Sequence, residues 1–196
     1  MAEFDGKIAV VTGSSGIGLG AALHLAREGA KVFVTDINEE AVAAAVEMGA
    51  EAVGLEEIYD VDADVFSPCA LGAVVNAETI PRFRFKIVAG AANNQLADDS
   101  AGDELEKRGI LYAPDYAVNA GGLMNVSIEF EGYSEQRAYR MSRAIYYNLM
   151  RIFEIAERDG IPTYRASNRM AEERIAILGK IKMPHMGKPH RFPGRE

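Results

Sequence analysis

The sequence predicts an α/β fold: a doubly wound, mostly parallel sheet with a helical C-terminal extension. Three observations predict it. Short β-rich runs alternate with helical stretches from residue 7 to about residue 120. A glycine cluster, Gly13-Ser14-Ser15-Gly16-Ile17-Gly18, falls between the first such run and the first helix. After about Gly121 the alternation gives way to two amphipathic helical stretches. Parallel strands need a crossover connection, so alternating strands and helices imply a sheet covered on both faces.

Residues 7–12, Lys-Ile-Ala-Val-Val-Thr, read as a short buried strand. Leu19, Leu23 and Ala26 then recur at helical spacing, and Gly29 ends that helix. Residues 31–35 form a second β-rich run. Asn38 is an N-cap for a helix whose Ala41, Val42, Ala45 and Val46 are expected to face the sheet. Further short apolar runs at 64–66, 86–89 and 110–112 are the remaining expected strands. Residues 134–159 carry Ala138, Met141, Ile145, Leu149, Ile152 and Ala156, the period of one long amphipathic helix stopped by Gly160 and Pro162. Residues 163–178 repeat the pattern with Ala171, Ile175 and Leu178 as the expected apolar stripe.

Composition narrows the function classes. The chain has 196 residues, 48% of them apolar and 26% charged, which is ordinary for a globular domain. No run approaches the roughly 18 apolar residues of a membrane span, and the polar, acidic first residues do not read as a secretory signal. A single cysteine, Cys69, has no internal disulfide partner, and His24, His185 and His190 lie far from it, so no zinc cluster is expected. A reducing cytoplasmic location is the expectation. The formal charge of −8 argues against a nucleic-acid partner, since phosphate binding needs a basic face. From Lys180 onward five basic residues stand against Glu196 alone, and the prolines there predict a flexible basic tail over 183–196.

The glycine cluster and the end of the second strand carry the chemistry. A glycine-rich turn after a first strand lets the backbone approach a pyrophosphate, while the free N–H groups and dipole of the next helix offset its charge. Asp36 ends the second strand, 23 residues after Gly13. A carboxylate there accepts hydrogen bonds from an adenosine ribose and repels a 2′-phosphate, favouring NAD over NADP. The expected cofactor contacts are therefore Gly13, Ser15, Gly16, Ile17 and Gly18, with Asp36 and Ile37. The bland alternative for Asp36 is a turn cap ahead of Asn38. With this motif in position the fold is of the Rossmann type: an NAD-binding domain over 1–130, helices over 131–182 that pack on it or on a partner, and the tail.

Residues 1–28 resemble the start of a short-chain dehydrogenase, whose turn is Thr-Gly-x-x-x-Gly-x-Gly, although only two residues separate Gly13 from Gly16. That family's chemistry needs a Tyr-x-x-x-Lys pair, and no lysine of this chain has tyrosine four residues before it. From about residue 29 to 182 the chain resembles the glutamate/leucine/phenylalanine/valine dehydrogenase family, on its leucine-type branch. The resemblance rests on Val34-Thr35-Asp36-Ile37-Asn38, Ser67-Pro68-Cys69-Ala70-Leu71-Gly72, Ala89-Gly90-Ala91-Ala92-Asn93-Asn94-Gln95-Leu96 and Tyr112-Ala113-Pro114-Asp115-Tyr116 with Asn119-Ala120-Gly121-Gly122. It continues through Ile155-Ala156-Glu157-Arg158-Asp159 and Met170-Ala171-Glu172-Glu173-Arg174. The family's loop has glycine where this chain has Ser15, so a side chain is expected to crowd the pyrophosphate there.

The resemblance implies oxidative deamination of a branched-chain L-amino acid to its 2-oxo acid with NAD. It implies that Asp36 binds the adenosine ribose, Cys69 and Ala70 line the adenine side, Asn94 reaches the nicotinamide ribose and Asn119 holds the carboxamide. Leu123 and Val126 would border the substrate side-chain pocket. Each has a structural alternative: Cys69 a small buried hydrophobe, the asparagines turn partners, Leu123 and Val126 core. Tyr146, Tyr147 and Phe153 read as packing or interface residues. The family's chemistry also needs a lysine in a Gly-Gly-x-Lys segment and an aspartate base, both in a domain preceding the nucleotide fold. None of the seven lysines here follows a Gly-Gly pair. The expectation is a cofactor-binding half that is inactive alone, forming a homo-oligomer or associating with a catalytic domain.

Overall fold

The computed structural model describes residues 2–130 and 132–180. The predicted tail at 183–196 lies outside them. Among the described residues one six-stranded parallel sheet is built from β1 (Ile8–Thr12), β2 (Lys31–Thr35), β3 (Glu51–Ala52), β4 (Val65–Pro68), β5 (Ile87–Val88) and β6 (Leu111–Tyr112). Their spatial order is β3-β2-β1-β4-β5-β6. Chain direction across the sheet therefore reverses between β1 and β4, the topological switch point of a doubly wound fold. The register pairs Thr12 with Thr35 and with Pro68, so β1, β2 and β4 end together on one edge.

Alternation along β1 explains the two-sided core. Val10 points into one apolar cluster, with Phe66, Phe83, Phe85, Leu105 and Tyr112. Val11 points into the other, with Val32, Val34, Ala22 and Ala45. Phe66 and Phe85 stack at 4.9 Å between ring centroids in the first cluster. The second cluster is roofed by α1 (Gly16–Arg27) and α2 (Glu39–Glu47), and Asn38 caps α2 through Glu40 and Ala41. Of the apolar residues expected to face the sheet from α2, Ala45 is buried, whereas Val46 is 43% exposed. In α1, Ala22 rather than Ala26 is the buried alanine.

The first cluster is covered by α3 (Asp99–Lys107) and by the helical end of the chain. There α4 (Asp115–Val118) and α5 (Gly121–Glu129) lead into α6 (Glu135–Asp159), which turns back into α7 (Thr163–Leu178). Gly160 makes the reversal with φ +62°, a left-handed C-cap whose N–H returns to the Ala156 carbonyl. Ile152, Ile155 and Ala166 form a small core between α6 and α7. Tyr164 reaches the main core, its hydroxyl 3.0 Å from Asp103, and Arg165 pairs with the same carboxylate at 2.9 Å. These contacts dock α7 against α3.

The expected stripe on α7 is corrected. Ala171, Ile175 and Leu178 are all exposed, and the packed face is instead its first half, Thr163, Tyr164, Ala166 and Ser167. Met170 is the last apolar residue of this helix to join a core cluster, and the later apolar positions have nothing to cover them among the described residues. β3 is a two-residue exposed strand with no apolar run behind it, and no strand is expected from Glu51-Ala52 by pattern.

Candidate functional site

Because all six strands are parallel, every loop after a strand opens on the same edge, and the site is assembled from those loops. The first is the glycine turn. Gly13 takes φ +82° and its N–H donates to the Thr35 carbonyl at 2.9 Å. Thr12 Oγ1 accepts from the amides of Cys69 and Ala70 at 3.0 and 3.3 Å, which joins the turn to the loop after β4. Gly18 is required by space: a Cβ there would lie 1.8 Å from the Gly13 carbonyl oxygen. Gly16 is required by conformation, with φ +53° and open space around it. Ser15, just before Gly16, is the N-cap of α1 with extended backbone (φ −132°, ψ 165°), which any residue adopts without strain. The left-handed positions in this turn are thus Gly13 and Gly16, which flank the two serines. The Ser15 side chain makes no cap hydrogen bond, and α1 carries no acidic residue in its first turn. Its N-terminus therefore presents free N–H groups.

Asp36 completes this half. Its Oδ2 accepts from the Ser14 amide at 2.7 Å and the Ser14 hydroxyl at 3.3 Å, and its Oδ1 accepts from the Asn38 amide at 3.0 Å. The Asn38 N–H is the largest influence holding the carboxyl below its ordinary range, with the Ser14 donors adding to it. Asp36 thus caps the turn before Asn38 and anchors the glycine loop at once. Gly13, Ser15, Asp36, Ile37, Cys69 and Ala70 all line one cleft of about 510 Å³. Cys69 is half-buried, its sulfur 3.4 Å from the Ala91 amide.

A second, larger cleft of about 770 Å³ opens beyond Ile17, under the loops after β5 and β6. Asn94 and Asn119 line it, together with Leu123 from α5. The Asn119 amide donates to Asn93 Oδ1 at 2.6 Å and the Ala91 carbonyl at 3.3 Å. Leu123 is 77% exposed, so it is not core. Val126, one turn further along α5 and 49% exposed, is neither core nor part of the cleft wall. Gly121 and Gly122 both open α5 and line the cleft.

Several lining residues were not expected. Leu55, Glu56 and Tyr59 close the smaller cleft from the segment after β3, and Asn93, Asp115, Tyr116, Ser142 and Ile145 line the larger one. Asp115 had a readable signal, since it follows Pro114 at the carboxyl end of β6. Ser142 and Ile145 arrive through the packing of α6, which no local pattern announces. Among the described residues no group of three or more His, Cys, Asp or Glu side chains is arranged to hold a metal, and no helix is long and apolar enough to cross a membrane.

A glycine turn at a helix N-terminus, a carboxylate ending the second strand and two clefts along the carboxyl edge of a 3-2-1-4-5-6 sheet define a Rossmann-type domain. The chain belongs to the Glutamate/Leucine/Phenylalanine/Valine dehydrogenase family, whose profile matches residues 5–177. It is 51% identical over 181 residues to a leucine dehydrogenase of Thermoactinomyces intermedius, covering 92% of this chain and 50% of the relative. A leucine dehydrogenase of Geobacillus stearothermophilus is 47% identical over 194 residues, covering 98% and 53%. The crystal structure of L-tryptophan dehydrogenase from Nostoc punctiforme superposes with a TM-score of 0.86 at 42% identity, covering 88% of this chain and 53% of that one. The chain spans about half the length of the curated relatives it matches.

Proposed function

We propose that these 196 residues are the NAD-binding half of a branched-chain L-amino-acid dehydrogenase of the leucine type. The observation that carries this reading is that the glycine turn and Asp36 bound one cleft while Asn94, Asn119 and Leu123 bound the next, with Ile17 on the border. A dinucleotide needs that sequence of environments. Adenosine fits the cleft of Asp36, Ile37, Cys69 and Ala70, and the pyrophosphate fits the turn from Gly13 to Gly18 at the start of α1. The nicotinamide riboside fits the cleft of the asparagines. The residues present suit the group: Gly18 lets the start of α1 close against the Gly13 carbonyl and so forms the tight turn, and the carboxylate of Asp36 is held ionised.

When bound, NAD would supply the acceptor for a hydride from the amino-acid α-carbon. The chain's own contribution is to bind and orient. Asp36 accepts from the adenosine ribose hydroxyls and disfavours a 2′-phosphate. Ser15 offers a hydroxyl beside the pyrophosphate. Asn119 would hold the nicotinamide carboxamide, and Leu123 would border an apolar substrate side chain. The lysine and aspartate that the family uses for the carbonyl and proton steps have no counterpart in the lysine contexts of this chain, so the chain alone is expected to turn over little or no leucine. Its partner is a catalytic domain or further copies of itself, in the cytoplasm.

The test is calorimetric titration with NAD and NADP, joined to a leucine turnover assay. Binding of NAD with weak or absent NADP binding, and no turnover by the chain alone, is expected. No heat and no thermal shift with millimolar NAD overturns the proposal.

A further inference from the structure

Behind the larger cleft lies a buried polar frame. Gln95 is 0% exposed. Its side-chain amide donates to the carbonyls of Gly90 at 2.6 Å and Ala92 at 3.0 Å, and its backbone N–H donates to Asp115 Oδ2 at 3.3 Å. The Tyr112 hydroxyl donates to Asp115 Oδ1 at 3.4 Å and accepts from the Asp115 amide at 3.2 Å. Chemistry fixes the way round of the Gln95 amide, because exchanging its nitrogen and oxygen would set an oxygen against two carbonyl oxygens. In that orientation Oε1 is buried without a hydrogen-bond partner among the described residues. An orphaned buried acceptor opposes folding, so stability alone does not account for a glutamine here.

What the frame holds is the preceding residue. Asn94 has φ +52°, a left-handed conformation that non-glycine residues adopt only when their surroundings impose it. On one side its carbonyl accepts from the Ala73 amide at 2.6 Å, and Ala73 is itself left-handed at φ +57°. The Gln95 carbonyl accepts from Val75 at 3.0 Å beside it. On the other side stand the Gln95 side chain and Asp115. The latter begins α4, whose C-cap is Asn119, the residue bonded to Asn93. Asn93, Asn94 and Asn119, three polar residues of the cleft wall, therefore hang from one buried support.

We infer that Gln95 is a positioning residue for the nicotinamide half of the cofactor: it touches no ligand and keeps Asn94 in the one backbone conformation that presents it to the larger cleft. The inference rests on the dinucleotide reading above, and the two can fail separately.

The experiment titrates the 196-residue chain with NAD and with ADP, which fills only the adenosine and pyrophosphate positions. Gln95→Met keeps the volume and removes both side-chain donors. It is expected to weaken NAD binding by about tenfold while ADP affinity stays within about twofold. Tyr112→Phe, which loosens Asp115, is expected to act in the same direction with smaller size, and it decides the matter if the Met variant does not fold. Equal loss of both ligands marks a purely structural role and overturns the inference, as does unchanged NAD binding in a folded variant. A wild-type chain that binds neither ligand overturns the dinucleotide reading and this inference together. Wild-type binding with an unaltered NAD-to-ADP ratio in both variants overturns this inference alone.

Discussion

The Ser14 backbone amide donates to the Asp36 carboxylate at 2.7 Å, and the Ser14 hydroxyl adds a second contact to the same oxygen. This pair ties the glycine turn after β1 to the end of β2, so the group proposed to select the cofactor also holds the loop proposed to bind its phosphates. Removing the negative charge while keeping the shape separates the two roles. Asp36→Asn is expected to bring NADP affinity closer to that of NAD by about tenfold or more, because a like-charge clash with the 2′-phosphate disappears. Paired calorimetric titrations of both cofactors check it, and an unchanged ratio refutes the role assigned to Asp36.

Gly16 and Gly18 of α1 are demanded for different reasons and should respond differently. Gly18→Ala forces a Cβ against the Gly13 backbone, which has no flexible end to give way. It is expected to lower stability by about 1–3 kcal/mol and to distort the turn, weakening ADP and NAD alike. Gly16→Ala meets open space and suffers only the left-handed backbone, an expected cost of about 1 kcal/mol. Thermal unfolding of the two variants under one buffer gives the order.

Every strand but β3, together with α1, α2 and both long helices, is legible in the sequence because the signals are local: apolar runs, Asn38, Gly29 and Gly160. The glycine turn is legible for the same reason, and so is Asp36, which sits at a fixed distance from it. What pattern reading lacks is the third dimension. The stripe Ala171, Ile175 and Leu178 has helical period, yet a period says that a face is apolar and not that anything covers it. Ser142 and Ile145 join the larger cleft only because α6 folds back over α5. At Ser15 the backbone is extended, and the left-handed positions of the turn fall on Gly13 and Gly16, so the serine costs no backbone strain.

The α6–α7 reversal carries a pH dependence through Asp159. Arg158 donates to both its oxygens, at 2.7 and 2.8 Å, and Arg169 of α7 also pairs with it. Arg158 first and Arg169 second hold this carboxyl well below the usual carboxylate range. A carboxyl whose folded pKa is depressed contributes stability that is fully present above its unfolded value, about 3.9, and lost as pH falls toward the folded one. The stability gap between wild type and Asp159→Asn is therefore expected to be constant from about pH 5 upward and to shrink below about pH 4. Urea unfolding at a series of pH values reads it, and a gap that widens in acid contradicts the assignment.

The outer face of α6 predicts association. Tyr139, Tyr146 and Tyr147 are 67%, 63% and 71% exposed, and Met150 continues the same face. Helical spacing brings Tyr139, Tyr146 and Met150 to one side, and the rings of Tyr146 and Tyr147 meet edge to face at 5.4 Å. Exposed aromatic side chains at this density are the composition of an interface core, where Tyr supplies large contact area at small entropic cost. The cleft wall uses Ser142 and Ile145 of this helix and none of these three tyrosines. Replacing Tyr139 and Tyr146 by Ser should therefore shift light scattering toward the monomer and reduce binding of a hydrophobic dye, while NAD affinity stays within about twofold. A wild-type chain that is already monodisperse as a monomer and binds no dye removes this face as an interface between copies, and with it the homo-oligomer part of the proposed function.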